Sequence, residues 1–344
     1  MFLLQKREEN ELSQAFTAYN TRIVAPPHGS MLPMSPVRKN ILMVACALGL
    51  LIPVVIIFIC ENMNTRVRGR KDLESVTVPF IGEIPLFTRK KKGILGKKPQ
   101  EVKAVIVKEG NRDIINEAFR VLRTNLEFMT GKDKTSNVII MTSFNPGSGK
   151  SFLTMNIAMS LAIKGKKVLV IDGDLRHASA SSYIDSPDKG LSDYLGGRID
   201  NLDEIIVPDP KHKSMDILPV GTIPPNPTEL LFDERLKQTI DTVREQYDYV
   251  LIDCPPVELV ADTQIIEKLA DRTIFVVRAG LLERSMLSEL EKIYDEKKYK
   301  NMSLILNGTE GSGGRYGYRY GYRYGYHYGY GSEYHYGSDE KYIE

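Results

Sequence analysis

Three things are scarce in this 344-residue chain, and each scarcity narrows what it can be. Cysteine is the first: Cys46 and Cys60 fall inside one apolar run and Cys254 follows an aspartate, so three thiols cannot make a disulfide framework. The main body therefore reads as reduced and cytosolic. Net charge is the second, with 46 Lys and Arg against 44 Asp and Glu, a balance that gives no case for a nucleic-acid partner or an acidic ligand. The third is core-forming side chains at the end of the chain. Gly311–Glu344 holds no Leu, Val, Phe or Trp, while 11 of its 34 residues are Tyr and 9 are Gly. Such a segment is expected to stay disordered. Tyrosine stands at every second position from Tyr316 to Tyr330, so an adhesive or aggregation-prone Gly/Tyr strand is the competing reading.

Charge is missing altogether from Ile41–Cys60, a run of 20 residues that matches the length a helix needs to cross a hydrocarbon core. Pro53 is tolerable there where neighbouring groups satisfy the freed carbonyl. The run begins 40 residues in and lacks a small-residue cleavage site, which sets it apart from a signal peptide. Arg66, Arg68, Arg70 and Lys71 follow it and only Arg38 and Lys39 closely precede it. The positive-inside rule then gives a single-pass protein of the inner membrane, with its N-terminus outside and its C-terminal part in the cytoplasm.

The expected organisation is an extracytoplasmic stub and Pro-rich linker at 1–40, a transmembrane helix at 41–60, a basic juxtamembrane linker at 61–110, a catalytic domain at 111–310 and a tyrosine-cluster tail at 311–344. The stub is too short for much of a core, and the chain is expected to begin midway through a larger extracytoplasmic domain. Within the linker, VPFIGEIP is a short strand-turn pattern, and six basic residues between Arg89 and Lys98 suit either a solvated spacer or an anionic membrane surface.

From Arg112 the pattern is α/β. Apolar residues from Ile114 to Met129 recur at helical spacing. Buried strands are expected at 137–143, 167–171, 215–220, 249–253, 272–278 and 302–307. Helices are expected at 152–164, 227–246, 262–270 and 285–298. Continuous apolar strands alternating with amphipathic helices predict a doubly wound parallel sheet covered on both faces, in the manner of a P-loop NTPase.

The chemistry falls at strand ends. The first strand runs into Asn145, Pro146, Gly147, Ser148, Gly149, Lys150, Ser151 and Phe152. Backbone N–H groups there can cradle phosphate, Lys150 can reach the β/γ-phosphates, and Ser151 can ligate Mg²⁺, so ATP and Mg²⁺ are the expected ligands. The strict pattern wants Gly where this chain has Phe144; a glycine turn with an incidental lysine is the alternative. The second strand ends with Asp172 and Asp174, and a later strand ends with Asp253. One such carboxylate is an ordinary cap or turn residue. Three at the carboxyl edge of one parallel sheet stand where open α/β sheets bind ligands. Asp172 and Asp253 are expected to hold the metal and its waters with Ser151. That leaves Asp174 as the acceptor for a tyrosine hydroxyl proton.

NPGSGKS, VLVIDGDLR, VLIDCPP and the terminal tyrosine cluster together make the chain resemble the bacterial tyrosine kinases, autokinases joined to polysaccharide co-polymerases for capsule and exopolysaccharide export. The likeness extends to VPFIGEIP and to Glu117, Arg120 and Arg123. It implies an ATP-dependent protein-tyrosine kinase with Lys150, Asp172, Asp174 and Asp253 as catalytic residues. It further implies a homo-oligomeric ring packed through Glu117, Arg120 and Arg123, in which the tail of one subunit enters the site of the next. On spacing alone those three residues also fit a surface ion-pair ladder. The implied acceptors are Tyr316, Tyr318, Tyr320, Tyr322, Tyr324, Tyr326, Tyr328, Tyr330, Tyr334, Tyr336 and Tyr342. Partners implied are the membrane, the polysaccharide export machinery and an opposing tyrosine phosphatase. Asn307, placed after the last strand, is the candidate adenine contact. A membrane-tethered ATPase switch of the ParA/MinD kind is the alternative; its phosphate loop usually carries a lysine where Asn145 stands.

Overall fold

A computed structural model describes residues 1–16, 29, 37–63, 65–87, 104–131, 136–210, 212–257 and 261–309. The tyrosine tail, the Pro-rich linker around 21–36 and the basic run at 89–98 lie outside the described residues, with the expectations made for them. The chain divides into two units, Met1–Asn64 and Thr65–Glu344.

The first unit holds α1 (Phe2–Phe16) and α2 (Arg38–Asn62). Among the described residues α2 is the one helix long and apolar enough to cross a membrane, over Arg38–Ile59. Its Leu42, Leu50, Val54 and Phe58 all lie exposed, and a helix apolar on every side has no water-facing stripe.

The second unit opens with β1 (Phe80–Pro85), α3 (Ile114–Thr130), β2 (Val138–Thr142), α4 (Lys150–Ile163), β3 (Val168–Asp172) and α5 (Leu191–Leu195). It continues with β4 (Val207–Pro208), β5 (Met215–Leu218), α6 (Pro227–Leu231), α7 (Glu234–Gln246), β6 (Tyr249–Asp253), α8 (Asp262–Glu267), β7 (Arg272–Arg278), α9 (Met286–Asp295) and β8 (Ser303–Thr309). The strands form one sheet in the order β1-β8-β7-β2-β6-β3-β5-β4, parallel except for β4 at the edge. This is the expected P-loop α/β architecture. Alternate strand residues feed two cores. Ile140, Ile171, Ile252 and Val277 pack on the side of α7 and α9. Ile139, Val170, Leu251 and Val276 pack on the side of α3 and α4.

Two expectations change. The single helix at 227–246 is two, because the Asp233 carboxylate accepts the Arg235 N–H at 2.8 Å and starts a new helix after α6. The span 61–110, read as a linker, supplies structure to the body on both sides of its basic run. Strand β1 adds to the edge of the sheet beside β8 and buries Ile81 and Ile84. Residues 65–67 are strapped to the turn after β7 by Val67 N–H to Leu282 O at 2.8 Å and Gly280 N–H to Val67 O at 2.7 Å. Ile106 and Val107 donate their N–H groups to Asn156 Oδ1 on α4, at 2.8 and 3.1 Å. Six buried apolar residues among those described, Val67, Leu73, Val78, Ile81, Ile84 and Val107, are enough to bring this polar stretch into the fold, although no helical or long strand period announces them.

Candidate functional site

The loop from β2 to α4 makes the floor of the site. Gly147 and Gly149 take φ of 73° and 89°, a left-handed conformation open to glycine at little cost. A side chain at Gly149 would also collide with the Asn307 amide. Ser143 and Ser148 hydroxyls both donate to the Asn145 carbonyl at 2.8 Å, and Asn307 Nδ2 donates to the Ser148 carbonyl at 2.8 Å. Arg278, at the end of β7, donates to the Gly147 carbonyl at 3.2 Å. The loop's carbonyls are thus tied back to the body. Leu153 makes the first intrahelical bond, to Gly149 O, so the N–H groups before it have no partner within α4. A helix N-terminus and its loop with free N–H groups suits phosphate.

A cleft of ≈ 450 Å³ opens over this loop. Lys150, Ser151, Asp174, His177, Leu86 and Asn307 are among the residues that line it. Lys150 is buried, with Nζ 3.4 Å from Ser143 Oγ. Burial pulls its ammonium down, while Asp253 and Asp174 act to hold the charge.

Asp172 and Asp253 are side by side in register on neighbouring strands, both buried. They are not equivalent. Asp172 Oδ2 accepts the Ser181 N–H and hydroxyl, each at 2.7 Å, and its Oδ1 accepts the Asp174 N–H at 3.3 Å. Both oxygens of Asp253 are buried with no hydrogen bond; the Ser151 hydroxyl lies near enough to favour the ionised form without completing one. Burial raises both carboxylates above the usual range, and for Asp253 the Asp172 charge adds to it. A buried carboxylate left without donors is costly to keep. A hard cation held between Asp253, Ser151 and phosphate oxygens would supply the missing partner, so these residues fit Mg²⁺ with a nucleotide.

Asp174 sits at the cleft with Oδ1 accepting from the N–H of Arg176 at 3.3 Å and of His177 at 3.2 Å. Arg176 turns away, to Asp262 Oδ2 and the Thr228 hydroxyl at 3.0 Å each.

The remaining predicted residues divide. Phe144 is buried against Phe275, ring centroids 4.8 Å apart, so its departure from glycine faces the core and leaves the loop intact. Phe152 stacks edge-on against Phe119 of α3, centroids 6.0 Å apart. Asn307 lies within β8 rather than after it, lines the cleft and donates one amide hydrogen to the Ser148 carbonyl of the loop. Glu117 and Arg120 form the i,i+3 ion pair on α3, whereas Arg123 reaches across to the Ser160 carbonyl of α4 at 2.8 Å. Arg278, His177 and Leu86 were not singled out by sequence reasoning. Nothing marks Arg278 beyond a charge closing an apolar strand.

The chain is similar to known proteins in both sequence and fold. A family model described as an AAA domain matches residues 136–305. The tyrosine-protein kinase Wzc of Salmonella typhimurium is 31% identical over 320 residues, covering 89% of this chain and 43% of that protein. The kinase domain of the Escherichia coli tyrosine kinase ETK superposes with a TM-score of 0.62 at 27% identity, covering 77% of this chain and 100% of that structure. The BceF tyrosine kinase domain does so with 0.59 at 29% identity, covering 71% and 99%. The chain spans less than half the length of the curated relatives it matches.

Proposed function

Because this chain belongs to the bacterial tyrosine kinases, related to those of capsule and exopolysaccharide production, we propose that it is an ATP-dependent protein-tyrosine kinase whose substrate is its own tyrosine tail. The observation that carries the reading is where the chain leaves the fold. Gly308 lines the cleft and β8 ends at Thr309. Tyr316 follows seven residues later, at most about 25 Å of extended chain. The last described residues before the acceptor cluster therefore stand at the rim of the phosphate site.

Bound Mg²⁺-ATP supplies the phosphoryl group and neutralises charge on it during transfer. The loop N–H groups and Lys150 hold the phosphates in place. Asp253, with Ser151, would hold the metal, and Asp172, already bonded at both oxygens, keeps the Ser181 turn in position and would help to hold the metal's waters. Asp174 accepts the proton from the attacking tyrosine hydroxyl, which at a free pKa of about 10 needs such an acceptor.

The tail acts in trans within a ring built through the α3 face that carries Glu117 and Arg120. Phosphates of about −1.5 to −2 charge each then reverse the attraction of a tail bearing Arg315, Arg319 and Arg323 to an acidic site, and the ring loosens. α2 spans the inner membrane and puts the body in the cytoplasm. There it serves polysaccharide export and is opposed by a tyrosine phosphatase.

The test is to incubate the chain with Mg²⁺-ATP beside Lys150→Ala and a version ending at Gly311, and to map phosphate by mass spectrometry. Phosphate on several tail tyrosines, lost in Lys150→Ala, is expected. ATP hydrolysis without phosphotyrosine would favour the ParA/MinD-like switch. Mixing Lys150→Ala with active enzyme lacking the tail tests action in trans, which requires label on the inactive partner.

A further inference from the structure

The kinase reading assigns Asp174 a proton and leaves open which of its oxygens takes it and what holds that oxygen still. An aspartate carboxylate turns easily about its last torsion, whose distribution is broad and two-fold, so its donors decide where each oxygen points. All three donors to Asp174 meet on Oδ1: the N–H of Arg176, the N–H of His177, and His177 Nδ1 at 3.2 Å. Among the described residues no donor is bonded to Oδ2. All three contacts are long, at 3.3, 3.2 and 3.2 Å, and the imidazole is the one donor of the three carried on a side chain, with torsions of its own by which it can close on the oxygen.

His177 itself is held from behind. The next residue, Ala178, has φ of 48°, a left-handed conformation that is unfavourable for any side chain with a Cβ. It is kept there by the Ala178 N–H to the Asp174 carbonyl at 2.9 Å. The same turn therefore fixes both partners. His177 is 66% exposed where Asp174 is 8% exposed, and both line the cleft. An imidazole used only for packing would not stand in solvent with its ring nitrogen on a buried carboxylate.

We propose that His177 is a positioning residue for phosphoryl transfer: its Nδ1 hydrogen completes the donor set on Asp174 Oδ1 and leaves Oδ2 as the oxygen presented to the incoming phenol. This rests on the kinase reading above. In the transfer, the phenol oxygen forms its bond to the γ-phosphorus while that phosphorus parts from its bridging oxygen, whose electron pair leaves with the diphosphate. The phenolic proton goes to Oδ2 and then to solvent.

The experiment compares His177→Ala, His177→Asn and His177→Gln in the full chain, following phosphotyrosine formation at saturating Mg²⁺-ATP together with the KM for ATP. Asn places an amide N–H where Nδ1 was; Gln places it at the far nitrogen. Loss of one charge-assisted hydrogen bond predicts a kcat about tenfold lower for His177→Ala with the KM for ATP unchanged. His177→Asn restores most of the rate and His177→Gln does not. A His177→Ala rate within twofold of the unaltered chain overturns the proposal, and so does an Asn variant as slow as Ala. Absence of phosphotyrosine from the unaltered chain overturns the kinase reading and this one with it, which separates the two failures.

Discussion

At the scale of single residues, Asp253 carries the clearest conflict between stability and use. Its carboxylate is buried, unbonded and next to Asp172, and burial together with that neighbour holds its pKa above the unfolded value. The folded state therefore binds the proton more tightly than the unfolded one. This contribution to stability is full below the ordinary carboxylate range and is lost as pH rises through the raised value. Nucleotide-free protein in chelator is expected to melt at a lower temperature at pH 8 than at pH 5. Asp253→Asn should remove much of that slope and gain on the order of 1–2 kcal/mol at neutral pH, while losing Mg²⁺-dependent nucleotide binding. A pH slope in calorimetry unchanged by the substitution would contradict this account. The sequence marked Asp253, Asp172 and Asp174 as a set because each closes or follows an apolar strand. It set Asp174 apart as the proton acceptor but could not tell Asp172 from Asp253, since their difference lies in donors such as Ser181, which is nine residues away from Asp172 and has no motif of its own. Phe144 shows the reverse case: the regular pattern counted it against the loop, and only its packing on Phe275 shows it pointing elsewhere.

At the scale of elements, α3 does two jobs with one row of charges. Glu117 and Arg120 are about two-fifths exposed and pair with each other. Arg123 donates to the Ser160 carbonyl, a group already inside the packing of α3 on α4, and its Nε is buried. Exposed ion pairs contribute roughly 0–1 kcal/mol, whereas a buried polar group left without its partner costs about 1–3 kcal/mol. Arg123→Ala should therefore lower the urea midpoint clearly, and Glu117→Ala and Arg120→Ala should leave it within error. In the proposed ring the latter two would act on subunit association, which light scattering reads separately. Equal loss of stability across the three would show that they act as one surface ladder after all. The helix was legible from its 3.6-residue apolar period; its start, capped by Asp113, whose carboxylate accepts the Asn116 N–H at 2.8 Å, is seen only in the fold. Which side each arginine takes was not legible, because a long side chain can reach to either neighbour of its helix face.

At the scale of the whole molecule, the boundary of the α/β body is the point on which sequence pattern and fold differ most. The basic run at 89–98 and the onset of the α/β pattern at Arg112 placed it near residue 111, and the span before it looked like a spacer. In the fold, Val67, Leu73, Val78, Ile81 and Ile84 of that span are buried, and β1 covers what would otherwise be an open edge at β8. At about 1.5–3 kcal/mol for each such side chain, their removal forfeits roughly 7–15 kcal/mol, comparable to the whole stability of an ordinary domain. It would also leave β8 as a bare apolar edge, a template for association. Its partner residues Pro85 and Leu86 line the cleft, with the Leu86 N–H bonded to the Thr309 carbonyl at 2.8 Å, so the same strand closes the nucleotide site beside the exit of the tail. A chain cut to begin at Thr65 is therefore expected to be soluble, to unfold in one cooperative transition and to bind nucleotide. One beginning at Ala104 should aggregate or melt far lower. Solubility, thermal unfolding and binding of a fluorescent ATP analogue, measured on both, decide it: matching behaviour from the shorter chain would mean that β1 is a passenger on the sheet and that the body does begin near residue 111.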